Sequence, residues 1–264
     1  MVEKFRLTEA KQVSTPMEAN AQFTTQQCLS TANQSAHMQN VPYSEAIGSV
    51  LWLVVVSRPD AAYAVGTLSQ FIQNLGPAHW EALKQVISYL GSTKNLWLTF
   101  GGNNRTMVEG YCDSDWASQQ HHHSISGFSF HFGHGAVSWS SKKQNIVALS
   151  SMEAEYIAQT HAAKEAMWLQ IFISEMQGKK EKGITLLCDN QGAIALAKDN
   201  KFHSRTKHID LHYHFICEAV EDRKINVKYI PTSENVADIF TKPLAKPKFV
   251  RFVETLGLRV LEKE

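Results

Sequence analysis

The chain is poor in the features that mark several large protein classes. Its four cysteines, Cys28, Cys112, Cys188 and Cys217, include no Cys-x-x-Cys pair and fall in unrelated segments. That spacing offers no cysteine-based metal or redox motif and suits reduced, mostly buried thiols of an intracellular protein. No charged-then-apolar signal opens the chain, and the most apolar run, Ile47 to Val56, is too short to span a bilayer. A soluble protein of the cytoplasm or nucleus with no membrane partner is expected. An excess of one charge is also missing, the formal net charge being +1. That removes overall attraction to nucleic acid but not a local basic stripe, which an acidic metal site would cancel in the sum. No Ser–His–Asp or Cys–His set is visible.

What is present is a globular composition, 44% hydrophobic and 19% charged over 264 residues, enough for one large or two ordinary domains. Residues 1–42 are rich in Gln, Thr, Ser and Asn and predict an extended lead-in. From Tyr43 the apolar positions Ile47, Val50, Leu51 and Val54 fall at helical spacing. Arg58-Pro59-Asp60 breaks that run, Ala64 to Ile72 continues a stripe, and Pro77 opens a third helix that Gly91 should end. The acids of this module and its His79 are expected on exposed faces. A strand at 96–100 and a Gly-Gly-Asn-Asn joint at 101–104 close a helical module over 43–104.

From 105 to 264 the pattern becomes α/β. Strands are predicted at 107–113, 126–132 and 136–140 as an antiparallel meander, followed by a long helix over 152–176 capped by Ser150 or Ser151. Its inner stripe is predicted to be Ala154, Ile157, Ala158, His161, Ala162, Leu169, Phe172 and Ile173. The continuous apolar run 184–188 reads as a central strand. A short helix to about 198, a helix over 207–222, a strand at 225–230, a short helix holding Asp238 and a helix over 246–257 complete the chain.

Acidic residues mark the ends of these elements. Asp113 and Asp115 close the first strand of the meander. Taken alone, Asp-Ser-Asp reads as a solvated turn. Glu155 falls at the start of the long helix, Asp189 just after the central strand, where open α/β sheets place their sites, and Asp238 follows the last strand. Four carboxylates brought together would repel unless cations filled the pocket. Oxygen-only ligands suit Mg²⁺ or Mn²⁺. Two such ions about 3.5–4 Å apart would serve phosphodiester hydrolysis.

The residues also resemble a known family. Val13-Ser-Thr-Pro-Met-Glu18, Tyr43 to Asp60, His79-Trp-Glu-Ala-Leu-Lys84, Gly110-Tyr-Cys-Asp-Ser-Asp-Trp-Ala117, Ser138 to Gln144, Ala148 to Ala158, Cys188-Asp-Asn-Gln191, His203 to Asp210 and Ala237 to Leu244 match, in order, the C-terminal part of the Pol polyprotein of copia/Ty-type LTR retrotransposons. That region is the tail of the reverse transcriptase followed by a ribonuclease H domain. The resemblance implies a helical remnant of the reverse transcriptase over 43–104. It implies an α/β, ribonuclease H-like mixed five-stranded sheet with flanking helices over 105–264, with Asp113, Glu155, Asp189 and Asp238 as catalytic, metal-holding tetrad. The implied activity is cleavage of the RNA strand of RNA–DNA hybrids with two Mg²⁺ or Mn²⁺ ions, discriminated by 2′-hydroxyl contacts. The implied partners are that hybrid and the remainder of a reverse transcriptase, and Asp115 would be an outer neighbour of the metals.

Departures from the family pattern bear on affinity. No Tyr-x-Asp-Asp is present, so polymerase activity is not expected. Where the family runs to Arg-Lys-Ser-Thr-Ser-Gly, this chain has Ser118-Gln-Gln-His-His-His-Ser-Ile-Ser126, and His212 and Cys217 stand where the family carries Arg. Lost cations weaken phosphate binding. Lys142, Lys143, Arg205, Lys207 and Lys242 are the remaining candidates for nucleic-acid contact, against an ordinary solvated face. His121-His122-His123 and His208-x₃-His212 have zinc-like types but lack further ligands, so a polar loop and a surface helix explain them. The rival readings are a non-catalytic nucleic-acid- or protein-binding module and an inactive retroelement relic.

Overall fold

The computed structural model of the protein describes residues 1–29, 38, 40–101, 107–118, 122–178, 183–198 and 210–261. In chain order the elements are α1 (Tyr43–Val56), α2 (Ala62–Ser69), α3 (Pro77–Ser92), β1 (Leu96–Leu98), β2 (Glu109–Asp115), β3 (Ile125–Phe132), β4 (Gly135–Lys143), α4 (Ser151–Gln177), β5 (Ile184–Cys188), α5 (Gln191–Lys198), α6 (Asp210–Glu221), β6 (Ile225–Tyr229), α7 (Lys246–Thr255) and β7 (Leu258–Val260). They gather into two compact units: Met1–Thr99 with Lys242–Glu264, and Phe100–Thr241. No helix among the described residues is long and apolar enough to cross a membrane.

In the first unit, Pro77 opens α3 as expected. Gly91 does not end that helix. It lies within it, where a Cβ would meet Val2 Cγ2 at 2.9 Å, so a side chain of the lead-in packs on the helix. Two polar residues expected on exposed faces are buried instead. His79 is fully buried, stacked on Phe71 with ring centroids 3.9 Å apart, and its Nδ1 accepts from Gly76 N–H at 2.9 Å. Burial pushes its pKa down, which suits a ring accepting at Nδ1. Asp60 is buried against Arg58 in an ion pair at 2.7 Å and accepts a hydrogen bond from Tyr89 Oη. A charge inside a core is tolerated when paired and hydrogen-bonded in this way, and sequence periodicity carries no sign of the pairing. Residues 242–264, grouped by the sequence reading with the α/β part, belong by contact to this unit. There β7 pairs antiparallel with β1, Leu98 opposite Leu258, and Phe249 meets Tyr89 edge-on at 5.7 Å.

The second unit carries the mixed five-stranded sheet, in the order β4-β3-β2-β5-β6. The β2–β3 and β3–β4 pairs are antiparallel; β2–β5 and β5–β6 are parallel. This is the α/β architecture expected from the sequence, a mixed five-stranded sheet with flanking helices. Gly133 and His134, both at positive φ (57° and 67°), make the tight turn from β3 to β4. Helix α4 starts at the Ser150 cap, whose Oγ accepts from Glu153 N–H at 3.2 Å, and ends at Gly178 in the left-handed region (φ 63°). Its inner face is largely as predicted, with Tyr156, Ala163 and Ala166 added; full burial stops at Leu169, and Ile173 still packs against the core while partly buried. Phe172 is exposed, its ring stacked on Trp168 at 5.3 Å. Val108, Cys112, Phe130, Tyr156, Leu186, Ile216 and Val227 share the core around the sheet. A fully buried aliphatic such as Leu186 contributes roughly 1.5–3 kcal/mol.

Candidate functional site

Three carboxylates meet at one end of this sheet. Asp113 comes from β2, Asp189 follows the last residue of β5, and Asp238 sits in a 3₁₀ turn, Val236–Phe240, reached after β6. One oxygen from each lies within 4.8 Å of the others. Asp113 and Asp238 are buried and Asp189 is half-buried, so solvent reaches the trio from the Asp189 side. Among the described residues this is the grouping of His, Cys, Asp and Glu with metal-ligand spacing.

Local chemistry explains how each acid is placed. β2 and β5 are parallel neighbours with Tyr111 opposite Leu187, so their next residues but one, Asp113 and Asp189, emerge from the same sheet end. Asn190 Oδ1 then accepts from Ala193 N–H at 3.0 Å and turns the chain into α5. Buried Asn235 caps the 3₁₀ turn, its Oδ1 accepting from Ala237 N–H at 3.2 Å, and its Nδ2 donates to the Cys112 carbonyl at 2.9 Å. That bond ties the segment of Asp238 to the residue preceding Asp113. Buried Thr241 donates its hydroxyl to Asp113 Oδ2. Asn235 and Thr241 escaped the sequence reading because their partners lie more than a hundred residues away and leave no local pattern.

Glu155 joins the trio electrostatically. It is the fifth residue of α4, one residue further in than predicted, and Glu153 is the acid of the first turn. Its Oε1 accepts from Ser114 N–H at 3.3 Å, and its buried Oε2 has no hydrogen-bond partner among the described residues. Burial, then the charges of Asp113 and Asp189, push its pKa well above the usual carboxylate range. A buried acceptor without a donor, beside a group of oxygen ligands, fits a hard divalent cation. The trio and Glu155 would hold it; Asp115 lies outside the trio.

The predicted cationic residues divide. Across β2, β3 and β4 the register sets Asp113 beside Gly127 and Ser141, and Asp115 beside Ile125 and Lys143. Lys143 therefore shares the sheet face of Asp113 and Asp115, two strand spacings or roughly 10 Å from β2. Lys142, exposed, shares the opposite face with Ser114 and Ser126. Lys242 belongs to the first unit. Arg205, Lys207, His121 and His208 lie outside the described residues, as do the side chain of His212 and the Gly-Asn joint after Gly101. His123 donates through Nδ1 to the Gln144 carbonyl at 2.8 Å, a structural use of that loop.

Beyond Asp115, Trp116 is half exposed while its indole N–H donates to the Ala148 carbonyl at 3.1 Å. Ala117 follows at φ 53°, with its N–H on buried Ser124 Oγ at 3.1 Å. Behind the acids, Cys112 and Cys188 are free, fully buried thiols with sulfurs 2.9 Å apart. Burial pushes both thiols up, which keeps them out of nucleophilic chemistry.

Comparison with known proteins adds kinship. The chain is 42% identical over 259 residues to the retrovirus-related Pol polyprotein from transposon TNT 1-94 of Nicotiana tabacum, covering 98% of this chain and 19% of that protein. It therefore spans about a fifth of that relative's length. It is 47% identical over 142 residues to secreted RxLR effector protein 161 of Plasmopara viticola, covering 53% of this chain and 100% of that protein. Among solved structures, the N-terminal RNase H domain of rv2228c from Mycobacterium tuberculosis covers 56% of this chain and 97% of its own at 12% identity and a TM-score of 0.39. No family model matches.

Proposed function

We propose, from the likeness of the chain to retrotransposon Pol polyproteins, that it is a portion of such a polyprotein of the copia/Ty type and that its second unit is a ribonuclease H, an endonuclease that cuts the RNA strand of RNA–DNA hybrids. The observation that carries this reading is the meeting of Asp113, Asp189 and Asp238, from three separate elements, within 4.8 Å. With Glu155 they form an all-carboxylate set for two Mg²⁺ or Mn²⁺ ions. When bound, the ions supply positive charge that polarises a phosphodiester and makes water a nucleophile at neutral pH.

The residues supply position. On the buried side Thr241 holds the carboxylate of Asp113, and Asn235 ties the turn of Asp238 to the Cys112 carbonyl. Half-buried Asp189 meets the solvent side, from which a strand would enter. Lys143, on the face of Asp113, is the best-placed remaining partner for a phosphate, and the 2′-hydroxyl is the feature by which RNA would be told from DNA. Residues 43–104 are on this reading a helical remnant of the reverse transcriptase, without polymerase activity. The rest of a reverse transcriptase is then a second partner besides the hybrid. Loss of the family's basic pair favours a second reading, a module that binds hybrid without cutting it.

The test is a labelled RNA–DNA hybrid incubated with wild type or Asp189→Asn in Mg²⁺, Mn²⁺ or EDTA. Metal-dependent loss of the RNA strand with wild type, and none with the variant, is the expected result. Full activity in the variant would overturn the site. A folded wild type that binds hybrid and never cleaves it would replace the enzyme with the binding module.

A further inference from the structure

The hydroxyl that reaches Asp113 comes from a segment built to bring it there. Thr241 is fully buried and directly follows the 3₁₀ turn of Asp238. Its single hydroxyl proton can serve one acceptor at a time. The choices are Asp113 Oδ2 and the carbonyl of Asp238, the latter at 3.2 Å. An ionised carboxylate is the stronger acceptor.

Two further features hold the geometry. Gly127 is the residue paired with Asp113 on β3. A Cβ there would lie 2.7 Å from both Phe240 Cβ and Thr241 Cγ2, and 3.2 Å from the Ala237 carbonyl oxygen. A side chain at 127 would thus push away the segment that delivers the hydroxyl, and glycine is required by close approach. At the other end of the segment, Asn235 holds the carbonyl of Cys112. Residues 235–241 are in this way clamped to β2 at two successive residues, Cys112 and Asp113.

We infer that Thr241 is a positioning residue for the metal centre: through its hydroxyl, in space left by Gly127, it sets the orientation of the Asp113 carboxylate toward Asp189 and Asp238. This rests on the reading of the trio as a metal site. A ligating carboxylate that is itself hydrogen-bonded loses rotational freedom before the cation arrives, and removing such an outer partner typically lowers metal affinity about 10–100-fold.

Thr241→Val keeps the shape and removes the hydroxyl; Thr241→Ser keeps the hydroxyl and removes the methyl. The experiment is calorimetric titration of the full chain with Mn²⁺ alone, alongside thermal unfolding in EDTA. Mn²⁺ affinity should fall about tenfold or more in Thr241→Val and stay at the wild-type value in Thr241→Ser. If Thr241→Val does not fold, Thr241→Ala takes its place. Wild-type affinity in the hydroxyl-free variant, whatever its melting temperature, overturns the inference alone, as does equal weakening in Thr241→Ser. A wild type that takes up no Mn²⁺ overturns the metal site and the inference with it.

Discussion

At the residue scale Glu155 carries the sharpest electrostatic conflict. Burial and the charges of Asp113 and Asp189 raise its pKa well above the ordinary carboxylate range, so the folded protein binds that proton more tightly than the unfolded chain. Stability from this group is then complete below the ordinary carboxylate pKa and falls as pH rises from there toward the raised folded value. In EDTA, Glu155→Gln should therefore unfold at higher temperature than wild type at neutral pH, and the gap should close as pH is lowered toward 4.5, the ordinary value for Glu. Melting curves across that range check it, and a pH-independent gap would mean the carboxyl is not strained. Four acids stand out in the sequence for a related reason. Such residues at the ends of apolar elements are costly without a purpose. Asp60 is the contrasting case: its charge is met by Arg58 and Tyr89, and nothing in the local pattern separates it from an exposed acid.

At the element scale α4 governs where Glu155 sits. Its start is fixed by Ser150, which accepts from Glu153 N–H, while Glu153 Oε2 accepts from Leu149 N–H at 2.8 Å. Ser150→Ala should cost about 1 kcal/mol, read as a lower denaturation midpoint in urea at unchanged slope; an unmoved midpoint would show that the cap is dispensable. Strands β2 to β6 were legible because apolar runs and turn residues alternate clearly. The short β7 was not, since three residues carry no periodicity and its partner β1 lies far back in the chain. Phe172 was misplaced because helical spacing tells which side chains share a face and not where the covering sheet ends.

At the scale of the whole molecule the chain divides into two units, one discontinuous in sequence. Cation binding at the acids of the second unit would stabilise the folded state alone, by about 2.7 kcal/mol at a hundredfold excess over the dissociation constant. Wild type should therefore melt higher in Mn²⁺ than in EDTA, with a much smaller shift for Asp189→Asn. Equal shifts in both proteins would place the cation elsewhere. The chain spans 19% of the TNT 1-94 polyprotein, so the activity proposed for it is that of one portion of such a polypeptide.

The amino-acid sequence by itself determined most of the elements and the α/β class of the second unit, because hydrophobic periodicity and turn chemistry are local, while the ribonuclease H-like expectation and the roles of the four acids came from the family resemblance. Only the tertiary structure decided the rest: which three carboxylates meet within 4.8 Å, that Lys143 and not Lys142 shares the sheet face of Asp113, and that Thr241 reaches Asp113 across the gap left by Gly127. Each of these is a contact between segments distant along the chain, set by strand register and packing, and such contacts leave no trace in the local order of residues.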